Sequence, residues 1–156
     1  MEKVVLPTVA FVGRLFPNLT VQGLGDPNYA YSLLKQYKGE WEFDTNWKMI
    51  FGHPKKAGWI NAIQEAQKTV QKGIGLDCPV LVMSSNKSFP ETKEWNNEYL
   101  SSDIVLDIHD IQKYGQKLGN YVTRDTIQNG IHDLILSEKD SRDHVYRTVF
   151  DWLPGK

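Results

Sequence analysis

Cys78-Pro79-Val80-Leu81-Val82-Met83 is a continuous apolar run of strand length. A run without polar alternation predicts a strand covered on both faces, the pattern of a parallel sheet. A second strand is expected at Tyr121–Ile127, where Tyr, Thr, Asp and Ile alternate with Val, Arg and Thr. Between them Asp107–Leu118 reads as a helix ended by Gly119. After them a helix starts near Ser141, with Val145, Val149 and Trp152 on one face. Tyr146, Phe150 and Leu153 widen that stripe, and Pro154-Gly155 closes the helix. Strand, helix, strand, helix is the order of a parallel βαβ unit, and the expected fold class is α/β.

Outward from this unit the chain changes character. Residues 1–75 form a first region rich in turns and aromatics, and residues 76–156 hold the βαβα portion. In the first region Thr8–Phe16 reads as a short apolar helix ending before Pro17, and Pro17–Asn28 as loop. Gly58–Lys72 is its clearest helix, because Trp59, Ile63, Ala66 and Val70 share one face. A short helix is expected within 89–100, where Trp95 and Tyr99 are spaced for one face.

The composition narrows the function classes. The 156 residues suit one domain. Apolar residues make up 40 % and charged residues 24 %, a globular balance that argues against disorder. Eighteen Lys+Arg face nineteen Asp+Glu, so no basic excess drives nucleic-acid binding. The single Cys78 gives no internal disulfide and reads as a small core residue. No apolar run has the length of a membrane span. Val4–Phe16 is interrupted by Pro7 and Arg14 and lacks a small-residue cleavage site, so it reads as a folded helix rather than a leader, and a cytoplasmic location is expected. No metal-ligand spacing or glycine-rich phosphate loop occurs, so neither metal nor cofactor is expected.

Of four histidines, His109 and His144 fall on expected helices beside charged neighbours and read as surface groups. His53 precedes Pro54 in a loop. His132 stands apart, because Gln128–Ser137 follows the second strand directly. The carboxyl ends of parallel strands are where α/β proteins place functional groups. A loop-anchoring role for His132 is the alternative.

Asn129-Gly130-Ile131-His132-Asp133, after a strand and ahead of a last amphipathic helix, resembles the histidine end of an α/β-hydrolase. The Cys78–Met83 strand is similar to that family's penultimate strand, after which the acid of the catalytic triad follows. Here Ser85, Asn86, Lys87 and Ser88 occupy the direct register, and Ser102-Asp103-Ile104-Val105 restores the Asp-x-Val pattern after an insertion. The resemblance is to the monoacylglycerol lipase, lysophospholipase and serine aminopeptidase subgroup. It implies a partial α/β-hydrolase fold, with residues 1–75 as a mostly helical cap over the site. It also implies acyl transfer to water: a serine attacks an ester or amide carbonyl, His132 takes its proton, and Asp103 orients the imidazole. Asp107 and Asp110 are rivals to Asp103, with helix capping as their simpler role. Asp133 reads as a loop residue leading into a helix.

The family's nucleophile elbow, G-x-S-x-G, occurs nowhere in these residues. Ser84, Ser85 and Ser88 lie at a strand end but on no expected elbow. The chain is therefore expected to be the C-terminal portion of such an enzyme, as a fragment, a truncated product or one piece of a split protein. It would be inactive alone, with a small ester or acyl substrate bound once an N-terminal half completes it. Self-association through an open sheet edge is expected meanwhile. The alternative is a non-enzymatic half-domain binding a ligand or partner. Tyr29, Tyr31, Tyr37, Trp41, Phe43, Trp47 and Trp59 would line an acyl pocket in the first reading, or simply pack a helical layer.

Overall fold

The computed structural model describes residues 2–153, with side chains from residue 8 onward. Helix α1 (Glu2–Leu15) leads through strand β1 (Thr20–Gln22) to helix α2 (Asn28–Leu33). A long loop then reaches strand β2 (Lys55–Lys56), which pairs antiparallel with β1 and opens directly into helix α3 (Ala57–Lys72). α1 and α3 pack as a pair. Gly13 permits their approach, because a Cβ there would lie 2.2 Å from the Ala57 carbonyl oxygen. α1 begins before the expected Thr8, and its side chains Phe11 and Leu15 stay exposed.

Strands β3 (Val80–Ser85) and β4 (Val122–Ile127) pair in parallel from Val80↔Val122 to Ser85↔Ile127. The connection between them holds a 3-10 turn at Asn97–Leu100 and helix α4 (Ile108–Gly115), and helix α5 (Lys139–Trp152) follows β4. The α/β class and the parallel pairing are thus present in the fold. Asp107 caps α4 by accepting from the His109 amide at 2.9 Å, which accounts for that carboxylate locally. The expected Pro154-Gly155 stop lies outside the described residues.

Two expectations about the first strand need correction. Val80–Met83 is half-buried rather than covered on both faces. β3 has β4 as its one strand partner among the described residues, and grooves run along its α4 and α5 sides. Cys78 is exposed rather than a core residue, because it sits in a bend ahead of the first ladder pair. The apolar stripe of α5 is also narrower than expected: Val145 is buried, while Tyr146, Phe150 and Leu153 are exposed. On α3 Trp59 and Ile63 face solvent in part.

The largest fully buried apolar side chains are Leu33, Tyr99, Ile127 and Val145, with Ile131 close behind. They come from α2, the 3-10 turn, the end of β4, the loop after it and α5. α2 of the first region packs on the 3-10 turn of the second, and α5 packs on β4. Polar contacts add to this packing: Asn28 Nδ2 donates to Thr92 O at 3.0 Å, and Trp41 Nε1 donates to Leu136 O at 2.8 Å. The Arg142 guanidinium lies 4.7 Å over the Trp41 ring.

Candidate functional site

The backbone explains how an acid displaced along the chain returns to the strand end. After β3 the chain leaves through residues 86–102 and comes back so that Asp103 forms a parallel bridge with Ser88. The Asp103 amide donates to Lys87 O at 3.0 Å, and the Phe89 amide donates to Asp103 O at 2.9 Å. Ser88 pins the next turn, with its hydroxyl donating to Leu106 O at 2.9 Å and accepting from the Ile108 amide at 2.9 Å. The excursion is tied at its base, where Lys87 Nζ meets Glu98 Oε2 and Ser102 Oγ donates to the same oxygen.

The Asp103 side chain is only 4 % exposed. Its Oδ1 accepts from the Val105 amide at 2.8 Å and the Leu106 amide at 2.9 Å. Those two N–H groups fix the carboxylate plane and favour its ionised form.

His132 approaches from the other strand. Asn129 takes a positive φ of 54° at the end of β4, and its amide donates to Asn86 Oδ1 at 2.9 Å. Gly130 follows where a Cβ would strike Leu134 Cδ2 at 2.7 Å. The Ile131 amide donates to Ser137 Oγ at 3.0 Å. This tight turn brings His132 Nδ1 to 3.1 Å from Asp103 Oδ2 and 3.2 Å from Oδ1. The imidazole is 30 % exposed, and its Nε2 makes no hydrogen bond among the described residues.

The two groups tune each other. The Asp103 bond holds the His132 pKa above the ordinary imidazole value, against burial, which lowers it. Burial pushes the Asp103 carboxyl up, but the His132 bond and the Leu106 and Val105 amides outweigh it, and the group titrates below the usual range. An imidazole that donates Nδ1–H to a buried carboxylate keeps Nε2 as the basic atom.

The other sequence candidates are placed elsewhere. Asp107 caps α4 and pairs with the exposed His109. Ser84 and Ser85 are buried, Ser85 Oγ accepts from the Lys87 amide, and Ser88 is engaged as above. None of these hydroxyls hydrogen-bonds to His132 among the described residues. His144 on α5 pairs with Asp125 at 3.2 Å. Of the first-region aromatics, Tyr29 reaches the site, edge-on to the His132 ring with centroids 6.4 Å apart. Tyr31 stacks on Tyr37, and Trp47 is 87 % exposed.

Sequence reasoning missed one cluster. Asp133 is not simply a helix lead: its Oδ2 accepts from Tyr29 Oη at 2.7 Å and from Lys48 Nζ at 2.6 Å. No local pattern flags this, because the partners lie far apart in the chain. Among the described residues no group of His, Cys, Asp and Glu could hold a metal ion, and no helix is long and apolar enough to cross a membrane.

No family model, curated protein or solved structure matches the chain.

Proposed function

We propose that His132 and Asp103 are the base and the acid of a serine-hydrolase site of the α/β-hydrolase type. The chain then supplies the C-terminal portion of a partial α/β-hydrolase fold, and the nucleophile comes from a segment these residues do not contain. The observation that carries the reading is the buried Asp103 carboxylate, fixed by two amides and bonded to His132 Nδ1 while Nε2 stays available. In that arrangement Nε2 accepts the proton of an attacking serine hydroxyl. Asp103 stabilises the imidazolium, and Nε2 returns the proton to the leaving alkoxide. Water then repeats the cycle on the acyl-enzyme, activated by the same Nε2. The substrates this chemistry serves are carboxylic esters, acylglycerols or lysophospholipids.

The test is hydrolysis of short-chain p-nitrophenyl esters. A tagged chain recovered from its source cells with the polypeptides bound to it is expected to turn over the ester. Asp103→Asn should reduce that rate by about 10⁴-fold, the cost of presenting the wrong imidazole tautomer. The 156-residue chain alone should show no turnover above its His132→Ala variant. Activity in the recovered assembly that survives both substitutions would contradict the reading.

A second reading, a non-enzymatic binding module, draws support from the exposed Phe11, Leu15, Phe16 and Trp59 side chains. It predicts binding of an apolar fluorescent probe that His132→Ala leaves unchanged, with no ester turnover in any assembly.

A further inference from the structure

We propose that Tyr29 is a positioning residue for His132, its hydroxyl tying the histidine loop to helix α2 through Asp133. The proposal rests on His132 acting as the base. Tyr29 Oη makes two contacts with the residue next to the histidine. It donates to Asp133 Oδ2 at 2.7 Å, and it accepts from the Asp133 amide at 3.3 Å. The same oxygen atom therefore engages both the side chain and the backbone of Asp133. On the other side of His132 the Ile131 amide is held by Ser137 Oγ. The backbone is thus fixed at both neighbours of the imidazole, once from within its own loop and once from the first region of the chain.

Lys48 completes the arrangement. Its ammonium bonds Asp133 Oδ2 at 2.6 Å and lies 5.4 Å from the centre of the Tyr29 ring. The carboxylate thereby keeps one oxygen turned toward both partners. The Tyr29 ring meanwhile meets the His132 ring at 69°, which limits rotation of the imidazole. Tyr29 stays a neutral donor, because burial and the neighbouring Asp133 carboxylate push its ionisation up. The charged and titratable groups facing His132 are Asp103 from the returning excursion, Asp133 from its own loop, Lys48 from the loop after α2, and Tyr29 from α2. Asp103 sets the tautomer. Tyr29 sets where the ring stands.

Position and charge are separable by experiment. The readout is solvent exchange of the His132 Nδ1 proton, seen by NMR as a downfield signal on the 156-residue chain. Tyr29→Phe keeps the ring and removes both hydroxyl contacts; it is expected to speed exchange about fivefold, the factor one net hydrogen bond carries. Asp133→Ala removes the carboxylate contact but keeps the amide that donates to the Tyr29 hydroxyl, and should speed exchange less. Asp133→Asn discards the charge but retains an oxygen acceptor for Tyr29, and exchange should stay near the wild-type rate. Unchanged exchange in either Tyr29→Phe or Asp133→Ala would overturn the proposal. So would an Asp133→Asn variant that loosens the proton as much as Tyr29→Phe, since charge alone would then explain the effect. Asp103→Asn is the separate control: a signal that keeps its wild-type shift and exchange rate in it would mean His132 is not bonded to the Asp103 carboxylate, and the base assignment itself would fall.

Discussion

Replacing Asp103 by Asn perturbs the site while keeping its shape, and the structure sets both the size and the pH dependence of the cost. The Asn oxygen can still accept from the Val105 and Leu106 amides, so no buried donor is orphaned. What is lost is the charge in three hydrogen bonds, two to amides and one to His132. Bonds to charged groups are worth about 1.5–3 kcal/mol against about 1 kcal/mol for neutral ones, so over the three bonds the variant should lose about 1.5–6 kcal/mol while His132 is protonated. The His132 pKa is raised in the folded state, so its contribution is fully present below the unfolded imidazole value and is lost as pH rises through the folded value. The Asp103 pKa is lowered, so its contribution is present above the unfolded carboxyl value and is lost as pH falls through the folded one. The wild-type advantage should therefore peak between the two titrations, near pH 5–6, and decline on both sides. Urea unfolding of both proteins from pH 3 to pH 9 measures it directly. An advantage that is flat with pH would refute the coupling, as would one that grows from pH 6 to pH 9.

Other expectations follow from contacts away from the pair. Trp41→Phe removes the donor to Leu136 O at 2.8 Å and should cost about 1 kcal/mol in chemical unfolding. Gly13→Ala places a methyl against the Ala57 carbonyl and should cost about 1–3 kcal/mol by separating α1 from α3, visible as a lower midpoint. The chain alone should self-associate in a concentration-dependent way by size exclusion with light scattering, since β3 has one strand partner and its apolar run is half-exposed. A monomer unfolding in one transition above about 60 °C, high for a mesophile domain, would contradict the partial-fold reading.

The parallel pair was legible because its signals are local. The apolar run from Cys78 and the alternation from Tyr121 outlined strands that begin two residues and one residue later, at Val80 and Val122. Asp107 was readable as a cap for the same reason. Burial was less legible, because it depends on neighbours: Cys78 and Val80–Met83 have core composition, yet they lie at an end and an edge where little covers them. The Asp103–His132 contact was anticipated from a motif and from the position of a loop after a strand. The bridge from Ser88 that makes it possible left no mark in the local pattern. Tyr29, Lys48 and Asp133 stayed hidden because three ordinary residues from three loops and helices acquire meaning only once the chain has folded.

The central claim is that Asp103 makes His132 a base through Nε2, and the nitrogen NMR shifts of His132 test it most directly. Above the pH at which the imidazole loses its charge, the account predicts the Nδ1–H tautomer, with Nε2 unprotonated and Nδ1–H bonded to Asp103. Asp103→Asn should then convert it to the Nε2–H tautomer. A wild-type His132 already in the Nε2–H form, or a tautomer indifferent to Asp103→Asn, would contradict the account.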